Sequence, residues 1–498
     1  MIFIYLTSGL FLGWSLGAND AANVFGTAVG AKMVRFKTAA IVASIFVLIG
    51  AVIGGAGATH TLGKLGAVNA LAGSFIVAFS AAFTVAWMTK LKLPVSTSQA
   101  IVGAIIGWNF FSGSVTDYDS LTKIVTTWVL CPVLSAAFAM ILFFVFRKVL
   151  EKINVHLLSM DFYTRIGLIL VGAFGAYSLG ANNIANVMGV FVPVVPFEPL
   201  NVYGLFTLTS AQILFFIGAL AIATGIFTYS YKVMDTVGGG IFRLSPVTAL
   251  IVVLSESLVL FLFSSEGLEA WLISHGLPSI PLVPVSSSQA VVGAVIGIGL
   301  AKGGRGIRFN VLGEIAAGWV TTPIAAGILA FISLFIFQNV FNQQVSKQVE
   351  YCLSDEVVTY LEQKQIPVRG LEPLRNEVYT NSVQFLSSIE SHSPGSKKFV
   401  RKIIEASKIT PLFIDPVLIS NEVDRRWFTP GQYEAIQKLA GKSFKHTWQL
   451  KQALQNLSDE WKYKPENRKF KLYNKNLDKK YENLFSIFHV RNPSTKSK

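Results

Sequence analysis

Apolar and polar segments alternate along residues 1–341 of this chain. Five apolar stretches fill the first half, at about 1–29, 38–60, 65–89, 94–112 and 122–146. Five more fill the second half, at about 165–192, 203–230, 244–264, 267–300 and 310–340. Since about 20 apolar residues span the hydrocarbon core of a bilayer, the pattern predicts an all-α polytopic membrane protein.

A polar segment interrupts the first apolar stretch. Gly17 to Gly26 reads GANDAANVFG and places Asn19, Asp20 and Asn23 at one end of a membrane helix. A carboxylate at the centre of a spanning helix costs at least about 2.5–3.5 kcal/mol, so it normally faces a partner, a cavity or an ion. The glycines predict that the helix unwinds here and turns backbone groups toward a polar cavity.

The same segment occurs a second time. Gly180 to Gly189 reads GANNIANVMG and is identical to the first copy at seven of ten positions. A second motif is also repeated, as Pro94 to Gly107 (PVSTSQAIVGAIIG) and Pro284 to Gly297 (PVSSSQAVVGAVIG), with eleven of fourteen residues identical. Two motifs in the same order predict an internal duplication, with discontinuous helices and re-entrant hairpins that begin at the Pro-Val-Ser segments.

The charges of the loops predict the orientation of the chain. With the N-terminus outside and one net crossing per stretch, the inner loops carry fourteen Lys and Arg residues and the outer loops carry two. This is a strong positive-inside signal. Five crossings per half insert the two halves in opposite senses, which is the inverted-repeat architecture of secondary transporters. Ten crossings place the C-terminal region outside, whereas a failed crossing in one half would place it inside.

Composition divides the chain into a membrane part and a soluble part. With 52% hydrophobic and 14% charged residues, the whole chain is not a soluble globular protein. We predict a first transmembrane repeat at 1–147, a linker at 148–163, a second, inverted repeat at 164–341 and a soluble basic C-terminal region at 342–498. The last region holds 26 Lys and Arg against 17 Asp and Glu.

The C-terminal region contains few signals. Thr429 and Pro430 predict the start of a helix that runs to about Leu439, and residues 444–457 are also predicted to be helical. The lysines between Lys462 and Lys480 predict a solvated face, with contact to anionic lipid head groups or a partner as the alternative.

The repeated segments supply candidate ligands for an anion and a cation. Hydroxyl groups and the amides of a helix start suit an oxyanion such as phosphate. The candidate substrate-binding residues are Asp20, Asn23, Ser96, Thr97, Ser98, Gln99, Asn183, Asn186, Ser286, Ser287, Ser288 and Gln289. The candidate ligands of a coupling Na⁺ are Asn19, Asp20, Asn182, Asn183 and Glu256. In the structural alternative, these hydroxyl groups bind no substrate and instead form hydrogen bonds between helices.

These features favour a carrier over other classes of protein. The membrane part contains no nucleophile–histidine pair, so we expect no enzyme, and the sequence calls for no cofactor. A passive anion channel and a phosphate receptor with the C-terminal region as its output remain alternatives, to be separated from a carrier by transport against a gradient.

The duplicated GANDAANVFG and PVSTSQ motifs resemble those of the inorganic phosphate transporter (PiT) family over about residues 1–340. The resemblance implies symport of phosphate with Na⁺ or H⁺, inverted repeats, alternating access, a homodimer and a place in the plasma membrane. It assigns the motif carboxylate to Asp20 and a later intramembrane carboxylate to Glu256. The C-terminal region carries no motif on which the resemblance rests.

This chain departs from the PiT pattern at several positions. Asn183 replaces a frequent Asp, Gln99 and Gln289 replace a His, and Val47 replaces a frequent Glu. Fewer titratable groups favour Na⁺ over H⁺ as the coupling ion. The family includes sulfate carriers, which keeps sulfate or another oxyanion open. Asp20 favours phosphate, because a carboxylate accepts a hydrogen bond from protonated phosphate, whereas sulfate has no proton at neutral pH.

Overall fold

The computed structural model describes residues 2–66, 68–90, 95–152, 156–195, 197–202, 206–231, 244–304, 309–393 and 398–490. Within these ranges, eight helices are long and apolar enough to cross a membrane. The prediction of an all-α polytopic membrane protein is therefore confirmed.

The two halves of the membrane part contain matching helices. The first half consists of α1 (Ile2–Gly30), α2 (Phe36–Gly54), α3 (Ala56–Leu65), α4 (Leu71–Lys90), α5 (Thr97–Ser112) and α6 (Tyr118–Lys152). The second half consists of α7 (Leu157–Met188), the hairpin β1 (Leu200–Val202) and β2 (Phe206–Leu208), α8 (Ser210–Thr228), α9 (Pro246–Ser264), α10 (Glu266–Ser274), α11 (Ser287–Ala301) and α12 (Phe309–Asn339). In the hairpin, Leu200 pairs with Leu208 in an antiparallel register.

The helices pack as two related sets. Helix α1 packs on α8 as α7 packs on α2, and α5 packs on α12 as α11 packs on α6. Helix α4 packs on α1 and α12, whereas its counterpart α9 packs on α7 and α6. Each half thus completes the other, and one apolar core runs through both.

Glycines of the repeated motifs allow two of these close contacts. A Cβ atom at Gly17 would overlap the backbone of Ile222, and a Cβ atom at Gly180 would overlap the backbone of Val47. Both α1 and α7 run without interruption through their motifs. The prediction that the helix unwinds between Gly17 and Gly26 is therefore wrong, because these glycines bring helices together instead.

The discontinuities lie at the second motif. Helix α5 starts after residues 95–96 and α11 starts after residues 277–286, which have no regular secondary structure, and the N-caps Ser96 and Ser286 have an extended backbone. The preceding Pro94 lies outside the described residues. The predicted single stretch at 267–300 is wrong, since α10, a turn and this irregular segment precede α11.

The contacts within the chain define two compact units. The membrane unit comprises Met1–Leu268 and Ile280–Lys347, and the C-terminal unit comprises Glu269–Ser279 and Gln348–Lys498. Most of α10 therefore belongs to the C-terminal unit, although the sequence places it in the second repeat.

The C-terminal unit is a small α-rich domain. After α10 it contains β3 (Tyr351–Cys352), α13 (Asp355–Gln363), β4 (Val378–Tyr379), α14 (Ser382–His392), α15 (Val400–Ser407), β5 (Leu412–Phe413), α16 (Pro416–Asn421), α17 (Pro430–Lys438), β6 (Ser443–Phe444), α18 (Thr447–Leu457) and α19 (Lys471–Phe488). Short 3₁₀ helices occupy Glu372–Leu374, Asp459–Trp461 and Arg468–Phe470. Two apolar cores stabilise it, one around Phe385 and one around Trp461 and Tyr481.

Two predictions for this region can be compared with the structure. The predicted helix after Thr429 is confirmed, and Thr429 caps α17 through a reciprocal pair with Gln432. The helix predicted at 444–457 is confirmed from Thr447 onward, whereas Phe444 belongs to β6. The lysines of α19 do not all form a solvated face. Lys475 pairs with the buried Glu269, and Lys480 donates to Gln432 Oε1 at 2.6 Å.

Candidate functional site

Four segments of the membrane unit meet at one buried place. They are the motif segments of α1 and α7 and the starts of α5 and α11. All the candidate residues on them are buried except Asn19, which is partly exposed. The predicted constellation therefore exists as a single cluster of polar side chains inside an apolar unit.

The starts of α5 and α11 are held against each other. Ser98 Oγ donates to the Val285 carbonyl at 3.0 Å, and the equivalent Ser288 Oγ donates to the Val95 carbonyl at 2.9 Å. Since these protons are directed at carbonyls, Ser98 and Ser288 act as interhelical ties in this arrangement. For these two hydroxyl groups, the alternative stated above, hydrogen bonds between helices, is therefore the one that the structure supports.

Two further hydroxyls shape the helix starts. Ser96 Oγ accepts from the amide of Gln99, and Ser286 Oγ accepts from the amide of Gln289, both at 3.3 Å. An N-cap leaves other amides of the first turn without an intrahelical partner, at the positive end of the helix dipole. Both starts therefore present donors and partial positive charge to the cluster.

Asparagines of α7 position the opposite segments. Asn182 binds the irregular segment before α11, since it donates to the Val283 carbonyl at 3.2 Å and accepts from the Val285 amide at 2.9 Å. Asn186 Nδ2 donates to Ser98 Oγ at 2.8 Å and to Asn183 Oδ1 at 2.9 Å. Asn182 is thus a structural anchor as well as a candidate ligand.

The α1 side of the cluster carries the carboxylate. Asn19 Nδ2 donates to Asp20 Oδ1 at 3.1 Å, and Asn23 Nδ2 donates to Ser287 Oγ at 3.1 Å. The Asp20 carboxylate also faces the hydroxyls of Ser287 and Thr97. A motif residue from one half is thereby surrounded by helix starts from both halves.

Glu256 adds a second carboxylate from α9. The residue is fully buried and lies near enough to Asp20 for their charges to interact. Among the residues that the structure describes, neither of its carboxylate oxygens has a hydrogen-bond partner. Two buried carboxylates whose charges repel each other suit a cation, because a cation would relieve both their repulsion and their desolvation.

Several other buried polar atoms of the cluster have no hydrogen-bond partner within the described part of the chain. Buried polar groups are normally paired, so each such atom marks a position at which a ligand could be bound. The acceptors are Gln99 Oε1, Gln289 Oε1 and Asn186 Oδ1, and the groups that can donate are Asn183 Nδ2 and Thr97 Oγ1. Free donors and free acceptors in one cluster fit the joint binding of an anion and a cation.

One neighbour of the cluster was missed from the sequence. Cys131 is buried in α6 and its Sγ lies 3.6 Å from the Ser286 carbonyl, in hydrogen-bonding geometry. The available signal was its place beside Pro132 in a Trp-x-x-x-Pro pattern that recurs at Trp319 and Pro323. In the parts that the structure describes, no three His, Cys, Asp or Glu residues form a metal-binding group.

Comparison with known proteins identifies the family. The sequence profile of the Phosphate transporter family matches residues 16–270 and 277–490. The match extends beyond residue 340, so it includes the C-terminal region, in which no family motif was recognised. "Putative phosphate permease MJ0630" of Methanocaldococcus jannaschii is 30% identical over 332 residues, which cover 66% of this chain and 96% of that protein.

A second relative and a solved structure agree with this result. The "Putative phosphate permease" of Haemophilus influenzae is 26% identical, over 69% of this chain and 98% of that protein. A solved structure, "The sodium-dependent phosphate transporter", has the same fold, with a TM-score of 0.53 and 22% identity over 67% of this chain and 99% of that one. The expectations of a membrane transporter and of no enzyme are thus confirmed, and this chain belongs to the phosphate transporter family.

Proposed function

We propose that this chain imports inorganic phosphate by symport with Na⁺ through alternating access. The observation that carries the proposal is the buried cluster in which two helix starts meet two carboxylates and five motif asparagines. Membership of the phosphate transporter family supports the substrate. The shared fold with a sodium-dependent phosphate transporter supports Na⁺ as the coupling ion.

The cluster divides into an anion part and a cation part. Phosphate oxygens would accept from Thr97, Ser287 and the first-turn amides of α5 and α11, where the helix dipoles favour negative charge. Na⁺ would bind oxygen atoms of Asp20, Glu256 and the motif asparagines. Because Na⁺ offsets the charge of phosphate and of the carboxylates, the fully loaded site can close in an apolar unit at lower cost than a half-loaded one.

Asp20 gives the site a preference among oxyanions. Its carboxylate is aimed at the same place as Ser287 and Thr97. A protonated phosphate oxygen can donate a hydrogen bond to a carboxylate. Sulfate has no proton to donate, so it and the carboxylate would both be acceptors and could not form a hydrogen bond. Sulfate transport and H⁺-coupled phosphate transport are the alternatives, the second because Asp20 and Glu256 are buried groups that can carry a proton.

The test is uptake of radiolabelled phosphate into proteoliposomes. An inward Na⁺ gradient, an inward H⁺ gradient and no gradient are compared, each with and without excess sulfate. The proposal predicts phosphate accumulation with the Na⁺ gradient alone and no inhibition by sulfate. Accumulation driven only by H⁺ would contradict Na⁺ coupling, inhibition by sulfate would contradict phosphate preference, and equilibration without accumulation would indicate a channel.

Two further expectations extend the proposal to the cell. The resemblance to PiT proteins implies a homodimer in the plasma membrane. Native mass spectrometry of the protein released from nanodiscs tests the first, with twice the 54.2 kDa chain mass as the expected result. Membrane fractionation of the source cells tests the second.

A further inference from the structure

The C-terminal unit contains a cleft of about 390 Å³. The described residues that line it are three lysines, three aromatic residues and two glutamines, from α13, α18 and the residues that follow each of these helices. The lysines are Lys364, Lys451 and Lys462, and the aromatic residues are Tyr360, Trp448 and Tyr463. Sites for small ligands typically enclose about 300–1,000 Å³, so the cleft has the size of a metabolite site.

The charge of the cleft favours an anion. Among the described residues that line it, none is an Asp or a Glu. Within the described ranges, Lys364 and Lys451 form no ion pair, and Lys451 Nζ instead lies 5.0 Å from the ring centroid of Tyr481 and 3.4 Å from the Tyr463 hydroxyl. Lys462 pairs with Asp459 at 2.6 Å, but both side chains are largely exposed to solvent, which makes the pair weak.

The aromatic residues favour a ligand with an organic part. Tyr360 stacks on Trp448 with their ring centroids 4.2 Å apart, and Lys364 Nζ lies 5.9 Å from the Tyr360 centroid. Burial and the hydrogen bond to Asp478 raise the pKa of Tyr463 above its usual range, so its hydroxyl stays protonated. Rigid rings beside ammonium groups contact the flat or apolar part of a ligand while the lysines bind its charge.

We propose that this cleft binds a soluble organic phosphate of nucleotide size. Its phosphate groups contact Lys364, Lys451 and Lys462, and its organic part contacts the Tyr360 and Tyr463 rings. The ligand is distinct from the transported ion, and the site is separate from the buried cluster of the membrane unit.

Equilibrium binding to the full-length protein in nanodiscs tests the proposal. The probes are AMP, ADP, ATP, pyrophosphate and inorganic phosphate, and the variants are Lys364→Gln, Lys451→Gln and the double substitution. We expect saturable binding of at least one nucleotide, and a loss of affinity of about tenfold or more for each substitution. Lys402→Gln is the matched control, because this exposed lysine also lies over a ring, that of Phe399 at 5.9 Å, outside the cleft.

Four results would overturn the proposal. Absence of nucleotide binding at millimolar concentration would show that the cleft is not a nucleotide site. Unchanged nucleotide binding in the double variant would show that the nucleotide binds elsewhere on the protein. Pyrophosphate binding as tight as that of ADP would show that the lysines hold any polyanion, and the assignment of an organic ligand would fail. If the protein bound vesicles of anionic lipid but none of the nucleotides, the cleft would be a contact site for lipid head groups instead.

Residues 269–279 of the second repeat show a separate feature, since they belong to the C-terminal unit. Two side chains of α19 hold them. Lys475 pairs with Glu269, and Lys471 Nζ donates to Ser279 Oγ at 2.6 Å. The Glu269 side chain is only 11% exposed, so the pair is shielded from solvent far more than the pairs of Lys438 and Lys462 in the same unit.

These residues lie in a segment that the first repeat lacks. Helices α4 and α9 start 175 residues apart, at Leu71 and Pro246, whereas α5 and α11 start 190 residues apart, at Thr97 and Ser287. The second repeat therefore contains 15 additional residues between α9 and α11. The C-terminal unit holds the chain within this insertion.

The insertion continues directly into the candidate transport site. Only residues 280–285 separate Ser279 from the N-cap Ser286. Val283 and Val285 in this segment are bound by Asn182, and the Val285 carbonyl also accepts from Ser98. One end of the segment is thus fixed by the site and the other by α19.

We infer that the C-terminal unit regulates transport by restraining the start of α11, an inference that rests on the proposed function. The restraint acts on the second repeat, because the chain between α4 and α5 is too short to contain a comparable insertion. Helix α19 also carries Asp478 and Tyr481, which contact Tyr463 and Lys451 of the cleft. A ligand in the cleft therefore acts on the same helix that holds residues 269–279.

Hydrogen exchange of the full-length protein tests this restraint independently of transport. Glu269→Gln and Lys475→Gln are each expected to increase exchange of the amides at 280–290 and to change the rate of phosphate uptake. Since either variant breaks the same pair, the double variant should show no further increase. Glu434→Gln, which removes the exposed pair with Lys438, is the matched control.

The outcomes separate this inference from the proposed function. Unchanged exchange at 280–290 in both variants would overturn the restraint, whatever the uptake. Increased exchange with unchanged uptake would overturn regulation while leaving phosphate transport intact. Absence of phosphate uptake in the wild-type protein would contradict the proposed function alone.

Discussion

Two carboxylates break the symmetry of an otherwise duplicated site. Asp20 of α1 corresponds to Asn183 of α7, and both side chains are buried. Glu256 of α9 corresponds to Ala81 of α4, given the shift of 175 residues between these helices. One carboxylate thus comes from each half, at positions that are not equivalent. The candidate cation site is therefore single, whereas the helix starts that would bind phosphate are paired.

Replacement of Asp20 by Asn should abolish Na⁺-coupled phosphate uptake. Asn keeps the size of the side chain but removes the negative charge that would bind Na⁺ and accept from phosphate. Uptake in proteoliposomes should fall to the level of empty liposomes, with an unchanged size-exclusion profile. Glu151→Gln, which removes an exposed carboxylate paired with Arg147, should transport normally. Normal uptake in the Asp20 variant would contradict its role.

Glu256→Gln should lower the apparent affinity of uptake for Na⁺ while the protein stays folded. Both oxygens of this carboxylate lack partners among the described residues, so the substitution breaks no hydrogen bond there. We expect the Na⁺ concentration for half-maximal uptake to rise by about tenfold, the effect of losing one charged ligand. Glu314→Gln is the control, because Glu314 is exposed on α12. An unchanged Na⁺ dependence would exclude Glu256 from the cation site.

At the level of helices, glycines determine where the N-terminal ends of α5 and α11 lie. A Cβ at Gly103 of α5 would overlap the Pro323 carbonyl of α12, and one at Gly293 of α11 would overlap the Pro132 carbonyl of α6. Each short helix is therefore seated directly on the backbone of a proline-containing helix. Backbone contact of this kind leaves little freedom to repack around an added methyl group.

Gly293→Ala should destabilise the protein by about 1–3 kcal/mol or more and reduce phosphate uptake, because α11 must move away from Pro132. A thermal melt of the detergent-solubilised protein gives the change in stability. Gly313→Ala on α12 is the matched control, since a Cβ there meets nothing within 4 Å. Equal melting temperatures for the two variants would contradict the close seating of α11.

The sequence predicted the helix starts more accurately than the break in α1. Pro-Val-Ser followed by Gln carries the N-cap signal itself, and Ser96 and Ser286 are the caps. Glycines permit either unwinding or close packing, and only the neighbouring backbones of Ile222 and Val47 decide between them. The partners of Ser98 and Ser288 are main-chain carbonyls of the other repeat, which no side-chain pattern reveals.

At the level of the whole molecule, the duplication predicts both topology and mechanism. Matching packing of α1 on α8 and of α7 on α2 agrees with two halves of the same design. The hydropathy pattern also predicted most helix positions, but it joined α10 to α11 because both are apolar. No repeat signal marks the insertion between α9 and α11, so its place in the C-terminal unit could not be foreseen.

The positive-inside analysis predicts that the C-terminal unit lies outside the cell. In a Cys352→Ser background, a single cysteine at Ser391 should react with a membrane-impermeant maleimide in intact cells. A cysteine at Lys148, in the predicted linker, should react only after permeabilisation. Both positions are exposed, whereas the remaining Cys131 is buried. Labelling of the Ser391 position only after permeabilisation would place the unit inside.

Reversal of the coupling tests whether Na⁺ and phosphate cross the membrane together. Proteoliposomes with equal Na⁺ on both sides receive an inward phosphate gradient, and influx of radioactive Na⁺ is followed with the membrane potential clamped. Symport predicts that phosphate drives Na⁺ to accumulate inside, and that Asp20→Asn abolishes this accumulation. A carrier that Na⁺ merely activates would move phosphate without moving Na⁺. Phosphate influx with no Na⁺ accumulation would contradict the account.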